Sequence, residues 1–159
     1  MSSRLIQYEN VATPEARRAL TNALIEVKSG LFNYVGGKGV MDADPTGNET
    51  SVTSAWRKTL THFVYTGPDA APTGIDERAF KNAREAASRA VDPLRAVTPN
   101  SGAYWNEADI IEPNWEHNFW GMENYRKLKT IKQKYDPNGM FRVWQGVGGT
   151  RPETGNADL

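Results

Sequence analysis

The sequence has no cysteine and only two histidines, His62 and His117, among its 159 residues. The lack of cysteine excludes disulfides, iron–sulfur clusters, thiolate zinc sites and cysteine nucleophiles. Two histidines are too few for a histidine-rich metal site, because such sites usually draw three or four ligands from one region. We therefore expect no metal site in this chain.

The sequence also lacks an excess of charge of either sign, because 19 Lys and Arg residues balance 19 Asp and Glu residues. Such a chain has no basic field to attract nucleic acid or an anionic membrane, so neither is expected as a partner. No apolar run approaches the roughly 20 residues that cross a bilayer. Residues 1–5 lack the apolar core of a secretory signal, so we expect a cytoplasmic protein.

The composition, with 38% hydrophobic and 24% charged residues, is typical of a globular protein. The length allows one ordinary domain. We predict an α+β fold in residues 1–148, with a small antiparallel sheet packed against about three helices. Residues 1–66 would form its strand–helix–strand part and residues 76–148 its helical part. Residues 149–159 would be a flexible tail.

Three segments favour strands. Residues 5–11 alternate weakly, and residues 31–40 are strand-like until glycines at positions 36, 37 and 39 interrupt them. Glycines inside a strand pattern indicate a bulge or a close approach of backbone. Residues 56–66 alternate clearly, which places His62 on one face and Phe63 on the other.

Three segments favour helices. Thr13 and Pro14 are typical of a helix start, and the helix is expected to end near Gly30. A loop over residues 67–74 would precede a second helix that begins at Asp76 and continues past residue 90. A third helix is predicted over residues 122–134. Its inward side chains would be Tyr125, Leu128, Ile131 and Tyr135.

A polar cluster lies between the second and third predicted helices. Tyr104, Asn106, Glu107 and Asp109 fall within six residues. In an extended segment, Tyr104 and Asn106 would share one face and Glu107 would lie on the opposite face.

This region resembles the C-terminal signature of the berberine-bridge-type FAD-linked oxidases. The matching positions are Tyr104, Asn106, Asp109, Trp115, Trp120, Gly121, Leu128, Ile131, Lys132, Lys134, Tyr135, Asp136, Pro137 and Phe141. Residues 51–58 also resemble the Ser-Val-Asn-Pro-Ala-Trp-Arg-Lys string of the fungal secondary-metabolism branch. Ser54 departs from it, because that branch has proline there.

The resemblance implies which part of the family's chain is present. Family members are much longer, and their N-terminal domain holds FAD and supplies the histidine that attaches it. This chain would correspond to the end of the substrate domain and the C-terminal segment over the flavin ring. FAD would then bind only if a partner domain supplied its site. The resemblance also implies that Tyr104 and Asn106 face flavin and substrate, and that Tyr104 can act as a base.

The candidate site residues fall into two groups, each with a structural alternative. The catalytic candidates are Tyr104, Asn106, Arg57 and His62, and the substrate-binding candidates are Trp56, Tyr65, Trp105, Glu107 and Trp120. Tyr104 could instead be a core aromatic residue, and His62 a packed, hydrogen-bonded histidine. The fork of Arg57 suits a structural anchor as well as it suits a substrate carboxylate.

Three functions stay open at this point. A flavin-free enzyme of natural-product biosynthesis would catalyse a redox-neutral cyclisation of the Diels–Alder type, or an isomerisation, in an aromatic-lined pocket. Alternatively, the chain is part of an FAD-linked oxidoreductase that needs a separate FAD-binding partner, or a non-catalytic small-molecule binding protein. A sheet taken from a larger one exposes edges, so we also expect a homodimer.

Overall fold

The computed structural model describes residues 1–47, 49–67 and 76–149. These residues form an α+β fold with one three-stranded antiparallel sheet, in the order β1-β3-β2. The strands are β1 (Ser2–Gln7), β2 (Leu31–Asn33) and β3 (Thr59–Tyr65). The predicted fold class is therefore confirmed. Most of the predicted loop over residues 67–74, and nearly all of the predicted tail, lie outside the described residues.

In the described part of the chain, five α-helices accompany the sheet. They are α1 (Pro14–Val27), α2 (Lys38–Ala43), α3 (Glu77–Arg89), α4 (Asp92–Val97) and α5 (Met122–Tyr135). Shorter turns of helix occur at Tyr8–Asn10, Ser54–Lys58, Trp105–Glu107 and Glu116–Trp120. None of the described helices combines the length and apolar character that a bilayer span requires.

Helix α1 begins where the sequence predicts. The Thr13 hydroxyl accepts a hydrogen bond from the amide of Ala16 at 3.1 Å, which satisfies one of the free N–H groups of the first turn. Pro14 occupies the first helical position, where its missing N–H costs nothing. Asp76 caps α3 in the same way, by accepting from the amide of Ala79 at 3.0 Å.

The strand predicted to run from residue 31 until the glycines interrupt it is short, because β2 ends at Asn33 and the chain turns into α2 at Lys38. The glycines explain the break. A Cβ atom on Gly36 would lie 2.1 Å from the carbonyl oxygen of Thr59, so only glycine allows this approach to β3. Gly37, with a φ of 122°, then begins the helix. The expected close approach of backbone is thus confirmed at one glycine.

The other boundaries shift for local reasons. β1 starts at Ser2 rather than residue 5, and β3 starts at Thr59 because residues 54–58 form a short helical turn. The second predicted helix is two helices, since α3 ends at Arg89 and α4 starts at Asp92. Pro93 lies in the first turn of α4, where proline is tolerated.

The predicted inward face of the third helix is only partly right. Tyr125 is buried and Leu128 half-buried, whereas Ile131 and Tyr135 are 53% and 74% exposed. Tyr125 packs against Trp115, with ring centroids 5.5 Å apart, near the start of α5. The rest of α5 extends beyond this contact. Helical spacing alone therefore predicted more buried residues on α5 than the structure has.

Two hydrophobic cores hold the fold. The first lies between one face of the sheet and helices α1 and α4, and consists of Ile6, Leu20, Ala23, Val27, Phe63, Val91 and Leu94. The second lies around the start of α5, and consists of Ala103, Trp115, Phe119 and Tyr125. The other face of the sheet carries His62, as the alternation of β3 predicts.

The outer edge of β1 is covered by the segment before the Trp105–Glu107 turn. The amide of Leu5 donates to the carbonyl oxygen of Gly102 at 2.9 Å, and the Ser101 hydroxyl donates to the carbonyl oxygen of Leu5. A Cβ on Gly102 would lie 2.7 Å from the carbonyl oxygen of Asn118, so the segment is closely packed on both sides. This contact places Tyr104 beside the sheet.

Candidate functional site

Five side chains gather on the sheet face opposite the first core. We call this group the Tyr104 cluster, and its members are Trp56, His62, Tyr104, Asn106 and Glu107. The ring of Trp56 lies 5.6 Å from that of His62 and 5.7 Å from that of Tyr104, and the His62 and Tyr104 rings are also 5.7 Å apart. Thus a strand, a short helical turn and the segment beside β1 each contribute one ring.

His62 is the buried member of the cluster. Its side chain is 2% exposed, and its Nε2 atom has no hydrogen-bond partner among the described residues. Nδ1 lies 3.6 Å from a carboxylate oxygen of Glu107. Burial lowers the pKa of His62, while the charge of Glu107 opposes that shift. The imidazole is therefore neutral at neutral pH.

The ring of Tyr104 packs against His62. Its side chain is partly exposed, and its backbone amide donates to the Ser3 hydroxyl at 3.0 Å. The Asn106 side-chain amide donates to the Tyr104 hydroxyl oxygen at 3.3 Å. A donor in this position stabilises negative charge on the phenolic oxygen when the proton leaves. The geometry can therefore support proton transfer at an aromatic surface.

The backbone around Tyr104 corrects one prediction. Residues Trp105–Glu107 form a 3₁₀ turn rather than an extended segment. Because that helix has three residues per turn, Tyr104 and Glu107 come to the same side and both approach His62. The opposite-face arrangement expected for Glu107 is wrong.

Trp105 and Trp120 form a separate aromatic pair. Their ring centroids are 5.7 Å apart, and the Trp120 indole donates to the carbonyl oxygen of Gln145 at 3.4 Å. Among the described residues, no aromatic ring contact joins this pair to the Tyr104 cluster. These two substrate-binding candidates thus lie together but outside the Tyr104 cluster.

Arg57 and Tyr65 also lie outside the cluster. Arg57 binds a carboxylate oxygen of Asp44 at 3.3 Å, the carbonyl oxygen of Val40 at 3.2 Å and the Thr50 hydroxyl at 3.4 Å. These contacts favour the structural-anchor interpretation. Tyr65 follows the opposite alternation on β3 and packs against the first core.

Sequence reasoning missed a buried polar network around Glu112. Glu112 is fully buried, and its carboxylate accepts from Asn118 at 2.8 Å and from both Nε and Nη2 of Arg95. Burial acts to lower the pKa of Arg95. The hydrogen bonds and charges of Glu112 and Asp92 have the larger effect, so the pKa is raised. Gln145 donates to the Glu112 carbonyl at 3.2 Å. No local motif signals these contacts, because they join distant segments.

Titration of His62 provides the first test. Since its folded pKa lies below the ordinary value near 6.5, the unfolded chain takes up this proton first as the pH falls. The contribution of neutral, buried His62 to the free energy of unfolding is fully present above about pH 6.5. It is lost as the pH falls from there through the folded pKa. We expect an NMR titration of the two histidines to give a pKa below 6.5 for His62, with His117→Gln providing the assignment.

The same experiment tests the role of Glu107. Glu107→Gln removes the charge that favours protonated His62, so the pKa of His62 should fall further. Glu123→Gln, at an exposed site on α5, is the matched control and should leave it unchanged. A His62 pKa above 6.5 in the unmodified chain would contradict the buried, neutral imidazole.

Comparison with known proteins addresses the ancestry of this site. Residues 103–148 match the family described as berberine and berberine like. An uncharacterized FAD-linked oxidoreductase of Arthroderma benhamiae is 32% identical over 153 residues, which are 93% of this chain and 25% of the relative. The chain carries the berberine-bridge-like segment of the FAD-linked oxidoreductases. The resemblance stated from the sequence is confirmed.

Two further similarities agree with this assignment. The FAD-linked oxidoreductase ZEB1 of Gibberella zeae is 40% identical over 111 residues, covering 67% of this chain and 19% of the relative. The crystal structure of the VAO-type flavoprotein MtVAO713 from Myceliophthora thermophila C1 matches with a TM-score of 0.71 at 25% identity. That match covers 92% of this chain and 26% of the other. The chain thus spans about a fifth to a quarter of the length of these relatives.

The described residues do not fit a complete FAD site. The glycines at positions 36–39 lead into the six-residue helix α2, and a Cβ on Gly37 or Gly39 would meet no atom within 4 Å. Gly37 and Gly39 therefore lie on an open surface and form no cradle for a pyrophosphate, while Gly36 packs against β3. The rings and polar groups of the Tyr104 cluster suit at most one side of a planar ring. FAD would need its site on another portion of polypeptide.

Proposed function

We propose that this chain supplies the substrate-facing wall of an FAD-linked oxidoreductase whose FAD is held by a separate portion of polypeptide. The observation that carries the proposal is the Tyr104 cluster, which faces away from the first core on a VAO-type fold. The relatives described above, two FAD-linked oxidoreductases and a VAO-type flavoprotein, support the same class of reaction. The cluster would turn toward the flavin-bearing portion.

The residues of the cluster would have distinct tasks. The rings of Trp56 and Tyr104 meet nearly at right angles, which offers a planar or conjugated small molecule two aromatic surfaces. Tyr104 would act as a phenolate that takes a proton from the substrate and becomes the neutral phenol, and the amide of Asn106, which donates to this oxygen, would stabilise the phenolate before the transfer. When bound, the flavin would accept the electrons. His62, on the sheet, would hold the Tyr104 ring in place, and Glu107 would hold His62.

A redox-neutral cyclisation or isomerisation is the second candidate. It is favoured by the proximity of three rings and an exposed hydroxyl–amide pair, which could fold a conjugated substrate and polarise it. Holding two reacting ends together contributes up to about 7–11 kcal/mol in favourable systems. This chemistry would need no electron carrier.

Exposed apolar side chains support a protein partner. Those that are at least half exposed include Leu31, Tyr34, Val35, Met140 and Phe141. β2, which carries Leu31, is an edge strand of the described sheet and could pair with another chain. We propose that the flavin-bearing portion covers part of this surface, and homodimerisation is the alternative. A cytoplasmic location stays a prediction.

The experiment is mild purification of the tagged chain from its native host, with an absorbance spectrum from about 300 to 500 nm and a mass by light scattering. The proposal expects flavin absorbance and a mass that includes a second, different polypeptide. A colourless homodimer that converts a conjugated substrate without cofactor would contradict it and support the cyclisation candidate.

A further inference from the structure

A cavity of about 470 Å³ lies apart from the Tyr104 cluster. Its volume falls within the range of small-molecule sites, about 300–1,000 Å³. Its lining includes the charged side chains Arg4, Arg95 and Glu116 and the apolar side chains Pro99, Pro113 and Met122. Arg4 lies on the same side of β1 as the core residue Ile6, whereas the Tyr104 cluster lies across the sheet. The two sites are therefore distinct.

Arg4 is a buried cation with no ion-pair partner among the described residues. Its side chain is 2% exposed, and Thr98 accepts from its Nε at 2.8 Å and its Nη2 at 2.5 Å. The remaining nitrogen, Nη1, has no hydrogen-bond partner in the described part of the chain, and no described carboxylate lies within 4.0 Å of the guanidinium. Burial lowers the pKa of Arg4 to about 10, against the opposing charge of Glu112. A buried charge in this state favours an added anion.

Arg95, the other guanidinium at the cavity, is already neutralised. It pairs with the buried carboxylate of Glu112 and donates to a carboxylate oxygen of Asp92 at 2.6 Å. Its Nη1 also donates to the carbonyl oxygen of Ser88 at 2.7 Å. Arg4 is therefore the group with unused binding capacity toward an anion.

We propose that this cavity binds a small organic carboxylate, with its head at the Arg4 guanidinium in the lining and its apolar body against Pro99, Pro113 and Met122. Charge-assisted hydrogen bonds to a guanidinium are stronger than neutral ones. Met122 is the first residue of α5, so the positive end of that helix dipole also reaches the cavity. Glu116 opposes a second negative charge, which favours ligands with a single carboxylate. Binding at this cavity would not require the proposed flavin-bearing portion.

The binding test uses the full chain and two matched probes, 3-phenylpropionate and the neutral 3-phenylpropionamide, titrated by NMR and calorimetry. We expect the carboxylate to bind at least about 10-fold more tightly than the amide, since one charge-assisted hydrogen bond contributes that much or more. Arg4→Met should reduce this preference to about one. Equal affinity of the two probes for the unmodified chain would overturn the proposal.

A second variant leaves the buried arginine intact. Glu116→Gln removes the repelling charge from the lining, so the affinity for the carboxylate should increase about 2–5-fold while that for the amide stays constant. Glu123→Gln is the matched control, because Glu123 is exposed on α5 and pairs with Lys127. If Arg4→Met does not fold, the comparison of Glu116→Gln with Glu123→Gln tests the proposal by itself. Equal effects of the two glutamate variants would overturn the proposal.

Discussion

Glu112→Ala is expected to lower the free energy of unfolding by about 3–5 kcal/mol, the usual cost of breaking a buried ion pair. Glu112 is fully buried and holds Arg95 through both carboxylate oxygens. Its removal leaves the Arg95 charge without its buried partner and the Asn118 amide without one of its acceptors. Urea unfolding, followed by tryptophan fluorescence, measures the change.

Asp92→Ala is the matched control for that variant, because Asp92 is the other carboxylate on Arg95. Its side chain is 57% exposed, so its loss should cost about 0–1 kcal/mol. Each variant removes one carboxylate from Arg95, so the difference between their unfolding free energies reports the effect of burial. Similar losses for the two variants would contradict the central place of Glu112 in the network.

Tyr104→Phe is expected to reduce kcat of the assembled enzyme by about 10²–10⁴-fold, the usual contribution of a positioned general base. The phenyl ring keeps the packing against Trp56 and His62, so KM should change little. Steady-state kinetics of the flavin-containing complex measure both quantities.

Tyr8→Phe is the control, since Tyr8 is 67% exposed and lies outside both the Tyr104 cluster and the proposed partner surface. It should leave kcat unchanged. If Tyr104→Phe also leaves kcat unchanged, Tyr104 takes no part in the chemistry. Unchanged substrate affinity with no turnover in either form would indicate a non-catalytic binding protein.

The features that the sequence predicts well are local ones. Thr13 and Asp76 cap helices through hydrogen bonds to residues three positions away, and the caps are therefore visible in the sequence. The two-residue period of β3 correctly separates His62 from Phe63. The family signature around Tyr104 identifies the ancestry for a similar reason, because it is a contiguous string.

The features that the sequence does not predict depend on contacts between distant segments. Glu112 receives Arg95 from 17 residues away and Gln145 from 33 residues away. Arg4 meets Thr98 across 94 residues, so neither the network nor the cavity has a local pattern. The 3₁₀ turn at Trp105–Glu107 is a further example, because an extended segment and a tight turn carry the same polar residues.

The most direct test of the proposed function asks where FAD would lie in the proposed complex of this chain with a flavin-bearing polypeptide. The complex is reconstituted with an FAD that carries a photoreactive azide on its ring, illuminated, digested with trypsin and mapped by mass spectrometry. The account predicts labelling of peptide 96–126, at or next to Tyr104, or of peptide 59–78, which contains His62. Labelling confined to the partner polypeptide, with neither peptide modified, would contradict a flavin-facing Tyr104 cluster.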